Sequence, residues 1–219
     1  MKDTIKKYLE KKSIYKTKTF DCSEIAICIP ICNEYPFFLS VLKNLAISCA
    51  VANQQVCVVC CVNNKINSSE KILQNNQRMI YELNRIANAE NNSLEKTLLK
   101  VCVLDYTNEN AFTEKQGVGW ARKIAMDYAL VNGAKVLASL DADTLVDENY
   151  ILQLKYFLEQ KMNCATMNFF HKRIENFSDD NNENQNSIQL NLAIQHYEDY
   201  IKNHSKKLAE CGTPFCYSA

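Results

Sequence analysis

Short apolar runs alternate with longer segments of helical period along this chain, and that alternation restricts its fold more than any other feature. Runs rich in β-branched residues and cysteine stand at Ile25 to Pro30, Val56 to Val62, Leu98 to Leu104, Val136 to Leu140 and Ala165 to Phe170. Each has the length of a strand and is apolar at successive positions, as a strand buried on both faces requires. Between them, helical spacing places Phe38, Val41, Leu42 and Leu45 on one stripe of Phe37 to Ala50. The same spacing recurs in Ser69 to Asn88, in Val118 to Val131 and in Glu148 to Lys161. Asn132-Gly133 supplies a stop after the third of these helices. The order β-α-β-α-β-α-β-α-β predicts an α/β domain, a Rossmann-like and mainly parallel sheet between helices. Ligands of such sheets bind beyond the carboxyl ends of the strands.

With 219 residues the chain is ample for one core, and 4 Gly and 3 Pro argue against a turn-rich β sandwich. A charged segment, residues 1–20, is expected to be a helical extension before the core of residues 24–170. Residues 171–187 include the polar run Asn176 to Ser187, read as a mobile loop. From Ile188 to Lys207 an amphipathic helix resumes, within an acceptor-side segment that reaches Ala219.

Charge excludes some partners. The 25 Lys+Arg balance 25 Asp+Glu, so the basic excess of a nucleic-acid binder is missing. No stretch approaches a membrane span, and the N-terminus lacks the apolar core of a signal peptide. Eleven cysteines, mostly inside apolar runs, read as small buried residues in a reducing compartment. Cys57 and Cys60 match a C-x-x-C pattern, but three residues along a strand they face opposite sides. A cytoplasmic protein is expected; Lys6, Lys7, Lys11 and Lys12 form a basic edge, read first as a solvated helix face and second as a peripheral contact with the inner face of a membrane.

The sharpest chemical feature is Asp141-Ala142-Asp143, where the fourth apolar run ends. Two carboxylates beside a buried strand repel one another, and a divalent cation with hard-oxygen preference, Mn²⁺ or Mg²⁺, relieves that repulsion and binds a diphosphate. The plainer alternative makes Asp141 a turn residue and Asp143 a helix cap. Asn33 and Glu34, after Pro30, reach the same sheet edge. Gly117 and Gly119 open a helix carrying Arg122 and Lys123, where backbone N–H groups and positive charge suit a phosphate or base.

Three segments in order, AICIPICNE, GVGWARKIAMDYAL and VLASLDADT, make residues 24 to 170 resemble the family 2 glycosyltransferases of GT-A fold, the nucleotide-diphospho-sugar transferase type. The resemblance implies metal-dependent, inverting transfer from a nucleotide-diphospho-sugar donor to a sugar, lipid or protein acceptor. It places Pro30, Asn33, Glu34, Gly117 and Arg122 around the nucleotide, Asp141 near the ribose or metal, and Asp143 on the metal. Many members end the second strand in Asp, where this chain has Val62-Asn63-Asn64; Asn63 is left as an uncharged hydrogen-bonding partner for the base. The family's catalytic base lies in an acidic motif expected beyond Ala219, so no residue is assigned to it.

Other readings use the same residues. A nucleotidyltransferase shares the sheet and metal, and a non-catalytic nucleotide-sugar-binding module needs no base. A dinucleotide oxidoreductase is disfavoured, because Arg122 stands where the fingerprint needs a third glycine. No Walker A loop or nucleophile elbow is present. Trp120 is read either as a stacking platform or as core; His171 is read as a surface or capping residue ahead of an acceptor contact, and His196 and His204 lie on the last amphipathic helix without metal-ligand partners at i+4. An exposed sheet edge near the acceptor side makes a homodimer one expectation.

Overall fold

A computed structural model describes residues 2–92, 98–160, 165, 167 and 181–210. The chain divides into two compact units, Met1–Lys161 and Met162–Ala219. In the first, α1 (Lys2–Lys11) precedes β1 (Ile25–Ile31), α2 (Phe37–Ala52), β2 (Val56–Asn63), α3 (Glu70–Asn92) and β3 (Leu99–Tyr106). A 3₁₀ turn (Asn108–Asn110) leads to α4 (Val118–Val131), β4 (Val136–Ser139) and α5 (Tyr150–Glu159). In the second unit lies α6 (Asn181–Glu210).

Four strands form one sheet in the order β3-β2-β1-β4, and every pairing is parallel. The architecture is α/β and Rossmann-like. Because side chains alternate along a strand, the sheet has two different faces. Ile25, Ile27, Ile29 and Ile31 share one core with Val56, Val58, Cys60 and Val62, and with residues of α2, α3 and α5. Ala26, Cys28, Cys57, Val59 and Cys61 share the other with Ala121, Ile124, Ala125 and Ala129 of α4. The second face is built from small side chains, which lets α4 lie close over β1 and β2. Cys57 and Cys60 accordingly lie in different cores. All four isoleucines of β1 are fully buried, and shortening any one to alanine costs roughly 2–5 kcal/mol.

Asn53 ends α2 in the left-handed region at φ 45, and Gly133 follows the Asn132 cap of α4 at φ 105. The expected Asn-Gly stop is therefore present, and its glycine is required by the backbone. Buried Asn132 also accepts, through its side chain, the N–H groups of Thr19 and Phe20 at 2.9 and 2.7 Å. In this way the segment before β1 is tied to the end of α4. α1 is tied to the same helix through Asp127, which accepts from the Tyr8 hydroxyl (2.6 Å), the Ile14 N–H (2.9 Å) and the Lys123 ammonium (2.5 Å).

Two expectations change. The polar run read as a loop is helical from Asn181 onward, because it contains no Pro or Gly to stop α6 from extending toward its amino end. Asn and Glu suit such a first turn. The fifth strand, Ala165 to Phe170, falls outside the described residues apart from Ala165 and Met167, neither of which is in a strand. His171 and the rest of the polar run, residues 176–180, also lie outside them. No helix among the described residues is long and apolar enough to cross a membrane.

Candidate functional site

The strand order decides where a ligand can enter. From β1 the chain steps to β2 and β3 on one side, then crosses to place β4 on the other side of β1. The reversal falls between β1 and β4, and the crevice beyond the carboxyl ends of those strands is the usual ligand position. Pro30 helps to open it. The Leu140 N–H donates to the Cys28 carbonyl at 3.3 Å, so the backbone at residue 28, and again at residue 30, faces β4. Proline has no N–H to continue that ladder, and the β1–β4 register ends at Cys28 opposite Ser139. Pro30 itself is buried within β1 opposite Cys61; its role is to shape the crevice from below.

Beyond β1 the chain turns through Asn33, whose φ of 66 is a conformation asparagine tolerates better than most side chains. Two asparagines of α3 hold this turn. Asn76, fully buried, accepts the Asn33 N–H through Oδ1 (2.9 Å) and donates through Nδ2 to the Asn63 carbonyl (2.9 Å). Asn75 accepts the Tyr35 N–H (3.0 Å) and donates to the Tyr35 carbonyl (2.8 Å). Neither α3 residue was singled out from sequence. The only signal for them is a pair of amides on a helix following a strand, which is too common to select.

On the other side of the crevice, Ala142 packs in the core and anchors the turn after β4. The Asp141 carbonyl accepts the Thr144 N–H at 3.2 Å, so Asp141 is indeed a turn residue. Its carboxylate also pairs with the Arg122 guanidinium of α4 at 2.5 Å. Asp143 is exposed and caps no helix, since α5 begins at Tyr150 behind Asn149. The loop onward is held to α2: Asn44 accepts the Val146 N–H (2.6 Å), and Ser48 bridges the Glu148 carbonyl and the Ile151 N–H.

Glu34, after β1, and Asp143, after β4, lie at the same end of the sheet and within electrostatic reach of one another. Burial holds the Glu34 carboxyl above its usual range, and the nearby Asp143 carboxylate raises it further. Nearby, two buried polar atoms, Arg122 Nε and Ser139 Oγ, have no protein partner. The site thus collects Asn33 and Glu34 from the end of β1, Arg122 from α4, and Asp141 and Asp143 from the turn after β4.

Two expected members are placed differently. Asn63 is buried, and its Nδ2 donates to the carbonyls of Ile31 and Cys61, both at 3.1 Å. These bonds make it a tie between the ends of β1 and β2. Gly117 caps α4 at an ordinary extended φ of −134, and a Cβ at Gly117 or Gly119 would meet nothing within 4 Å. Protein packing does not demand glycine there, and the first turn of α4 is open. Trp120, on that turn, is 38% exposed and is not a core residue. His196 is exposed on α6.

Among the described residues no group of three or more His, Cys, Asp or Glu converges as a complete metal-binding set. One or two carboxylates are a sufficient protein contribution for Mg²⁺ or Mn²⁺ where substrate phosphates and water supply the remaining oxygens. The donor chemistry of Glu34 and Asp143 therefore fits such an ion. Asp141 is engaged by Arg122 instead. Comparison with family models, curated proteins and solved structures gave no match.

Proposed function

We propose that the Met1–Lys161 unit is a GT-A-like domain that binds a nucleotide-diphospho-sugar with Mn²⁺ or Mg²⁺ and serves a glycosyltransferase. The observation that carries this reading is that β1 and β4, adjacent at the switch point, are followed by Glu34 on one side and by Asp141 and Asp143 on the other, with Arg122 on Asp141. Like charges held together favour a cation between or beside them. A divalent ion there supplies Lewis-acid stabilisation of the charge that develops on the leaving diphosphate.

The chain's own residues do the rest. Asp143 and Glu34 hold the metal end of the donor, and Asn33, on the rigid turn fixed by Asn76, fronts the nucleotide. Arg122 keeps Asp141 oriented and presents positive charge to the donor side. The open first turn of α4 lets backbone N–H groups approach an anion. No described residue is assigned as the base that would activate an acceptor hydroxyl, so the reading covers donor binding first and sugar transfer through it. A nucleotidyltransferase would use the same crevice but prefer a nucleoside triphosphate.

Thermal unfolding of the full chain with UDP, GDP, CDP, UTP or NAD, each with and without Mn²⁺, tests the reading. A ligand at 100 times its dissociation constant adds about 2.7 kcal/mol, a readily visible midpoint shift. The expected result is stabilisation by one nucleoside diphosphate that requires Mn²⁺ and disappears in Asp143→Ala and Arg122→Ala. Preference for UTP would favour nucleotidyl transfer, and a metal-independent NAD response would favour an oxidoreductase. No response to any nucleotide would overturn the proposal.

A further inference from the structure

The zero net charge hides a segregation of charge. Residues 1–18 hold seven of the 25 Lys+Arg, all of them lysine, and two of the 25 Asp+Glu. That segment therefore carries +5 and the rest of the chain −5. Lys6, Lys7 and Lys11 stand on α1, Lys12 follows it, and all four are exposed. Among the described residues no carboxylate forms an ion pair with any of the four. Ile5 and Ile14, in the same segment, are 38% and 37% exposed.

This basic element is already folded and clamped. The Lys12 and Ser13 N–H groups donate to the Tyr8 carbonyl at 2.8 and 3.1 Å. The Lys16 ammonium closes the same end of α1 on the Leu9 and Glu10 carbonyls, at 2.8 and 2.9 Å. On the side toward α4, the Tyr8 hydroxyl and the Ile14 N–H bind Asp127, and Lys123 donates to the Lys12 carbonyl at 3.0 Å. The Lys123 ammonium also lies 5.2 Å from the centre of the Tyr8 ring. Tyr8 thus marks the anchored face of α1, and the four lysines remain in water around it.

We propose that α1 and the residues after it, as far as Lys18, are a docking surface for a bilayer that contains anionic phospholipids. Lysines clustered on an amphipathic helix are drawn to the negative potential of such a surface. Two features select a bilayer over a nucleic acid, the other large polyanion. The cations are all lysine, whereas the guanidinium fork of arginine suits bidentate phosphate and base contacts. Exposed Ile5 and Ile14 offer apolar side chains that the headgroup–acyl boundary accepts and a phosphate backbone does not. The negative remainder of the chain is repelled by the same surface, which restricts contact to this one element. Because α1 is helical and held by Asp127 beforehand, docking has little chain to order. Neither nucleotide nor metal takes part, so docking stands or falls independently of donor binding.

Cosedimentation of the full chain with sucrose-loaded vesicles, in the absence of nucleotide, tests the proposal. The chain should pellet with mixed phosphatidylcholine–phosphatidylserine vesicles at physiological salt, but not with pure phosphatidylcholine, and high salt should release it. Combining Lys6→Gln, Lys7→Gln, Lys11→Gln and Lys12→Gln should weaken partitioning more than about a hundredfold, at roughly fivefold per lysine. All four side chains are exposed, so the unfolding midpoint of this variant should stay nearly unchanged. A control removes as many exposed cations from α2 and α3, which pack on the opposite face of the sheet from α4. Lys43→Gln, Lys71→Gln, Arg78→Gln and Arg85→Gln together should change partitioning by less than about threefold. Equal losses in the two variants would overturn the proposal, as would equal binding to pure phosphatidylcholine or no binding to the mixed vesicles. Retention on duplex RNA in direct competition with the mixed vesicles would overturn it in favour of a nucleic acid.

Discussion

Glu34 follows β1 and Asp143 follows β4, and the two carboxylates stand within electrostatic reach of each other at the point where the strand order reverses. They are 109 positions apart in the sequence, and only the crossover that sets β4 beside β1 makes them neighbours. Burial of Glu34 first, and the Asp143 charge second, make the ionised Glu34 carboxylate cost stability, a cost that a bound cation would reduce.

That cost has a defined pH dependence. The folded chain holds the Glu34 proton more tightly than the unfolded chain, whose carboxyl titrates near its ordinary value of 4.5. The folded state therefore binds more protons as pH rises from 4.5 toward the raised value. Stability falls across that window, and the deficit is complete above it. Glu34→Gln should raise the unfolding midpoint at pH 7, by about 1 °C given solvent screening, and leave it nearly unchanged at pH 4. Asp143→Asn should move the window downward. A calorimetric pH series on the three proteins measures both; a midpoint that falls at pH 7 in Glu34→Gln would contradict the assignment.

Asn76 carries more of the local structure than its single side chain implies. Replacing it with alanine strands the Asn33 N–H and removes one partner of the buried Asn63 carbonyl, beside a side chain that is itself fully buried. The expected loss is about 2–3 kcal/mol in urea denaturation. Asn75→Ala, which breaks two part-buried bonds and no buried one, should lose about 1 kcal/mol. Equal losses in both variants would mean that burial is not what sets the cost.

Asp127 is 1% exposed and accepts from Tyr8, Ile14 and Lys123 together. Asp127→Ala leaves the Lys123 ammonium and two further donors without their shared acceptor, at a cost of roughly 3 kcal/mol. Because two of those donors belong to α1 and the residues just after it, trypsin should cut among residues 6–18 much faster than in the wild type. Unchanged cleavage there would show that α1 is held by its apolar contacts and not by Asp127.

The α/β class was legible because strands buried on both faces need continuous apolar runs, and β1 and β2 are written that way from Ile25 to Ile31 and from Val56 to Val62. The bounds of α4 were legible too, since its alanine stripe and the Asn132-Gly133 stop are local signals. The separation of Cys57 from Cys60 followed from the two-residue period of a strand. Asp141 and Asp143 stood out because paired carboxylates at a strand end are locally conspicuous. Their division did not: Arg122 engages Asp141, while Asp143 stays exposed. Likewise Asn63 resembled a base-contacting residue until the sheet placed the Ile31 carbonyl within 3.1 Å of its amide. Local period and composition determined which segments became strands and helices, since those depend on burial patterns a few residues long. Strand order, the β1–β4 crevice, the Asn76 clamp and the Asp127 tie to α1 were decided by tertiary structure alone, because each joins residues whose separation along the chain carries no periodic signal.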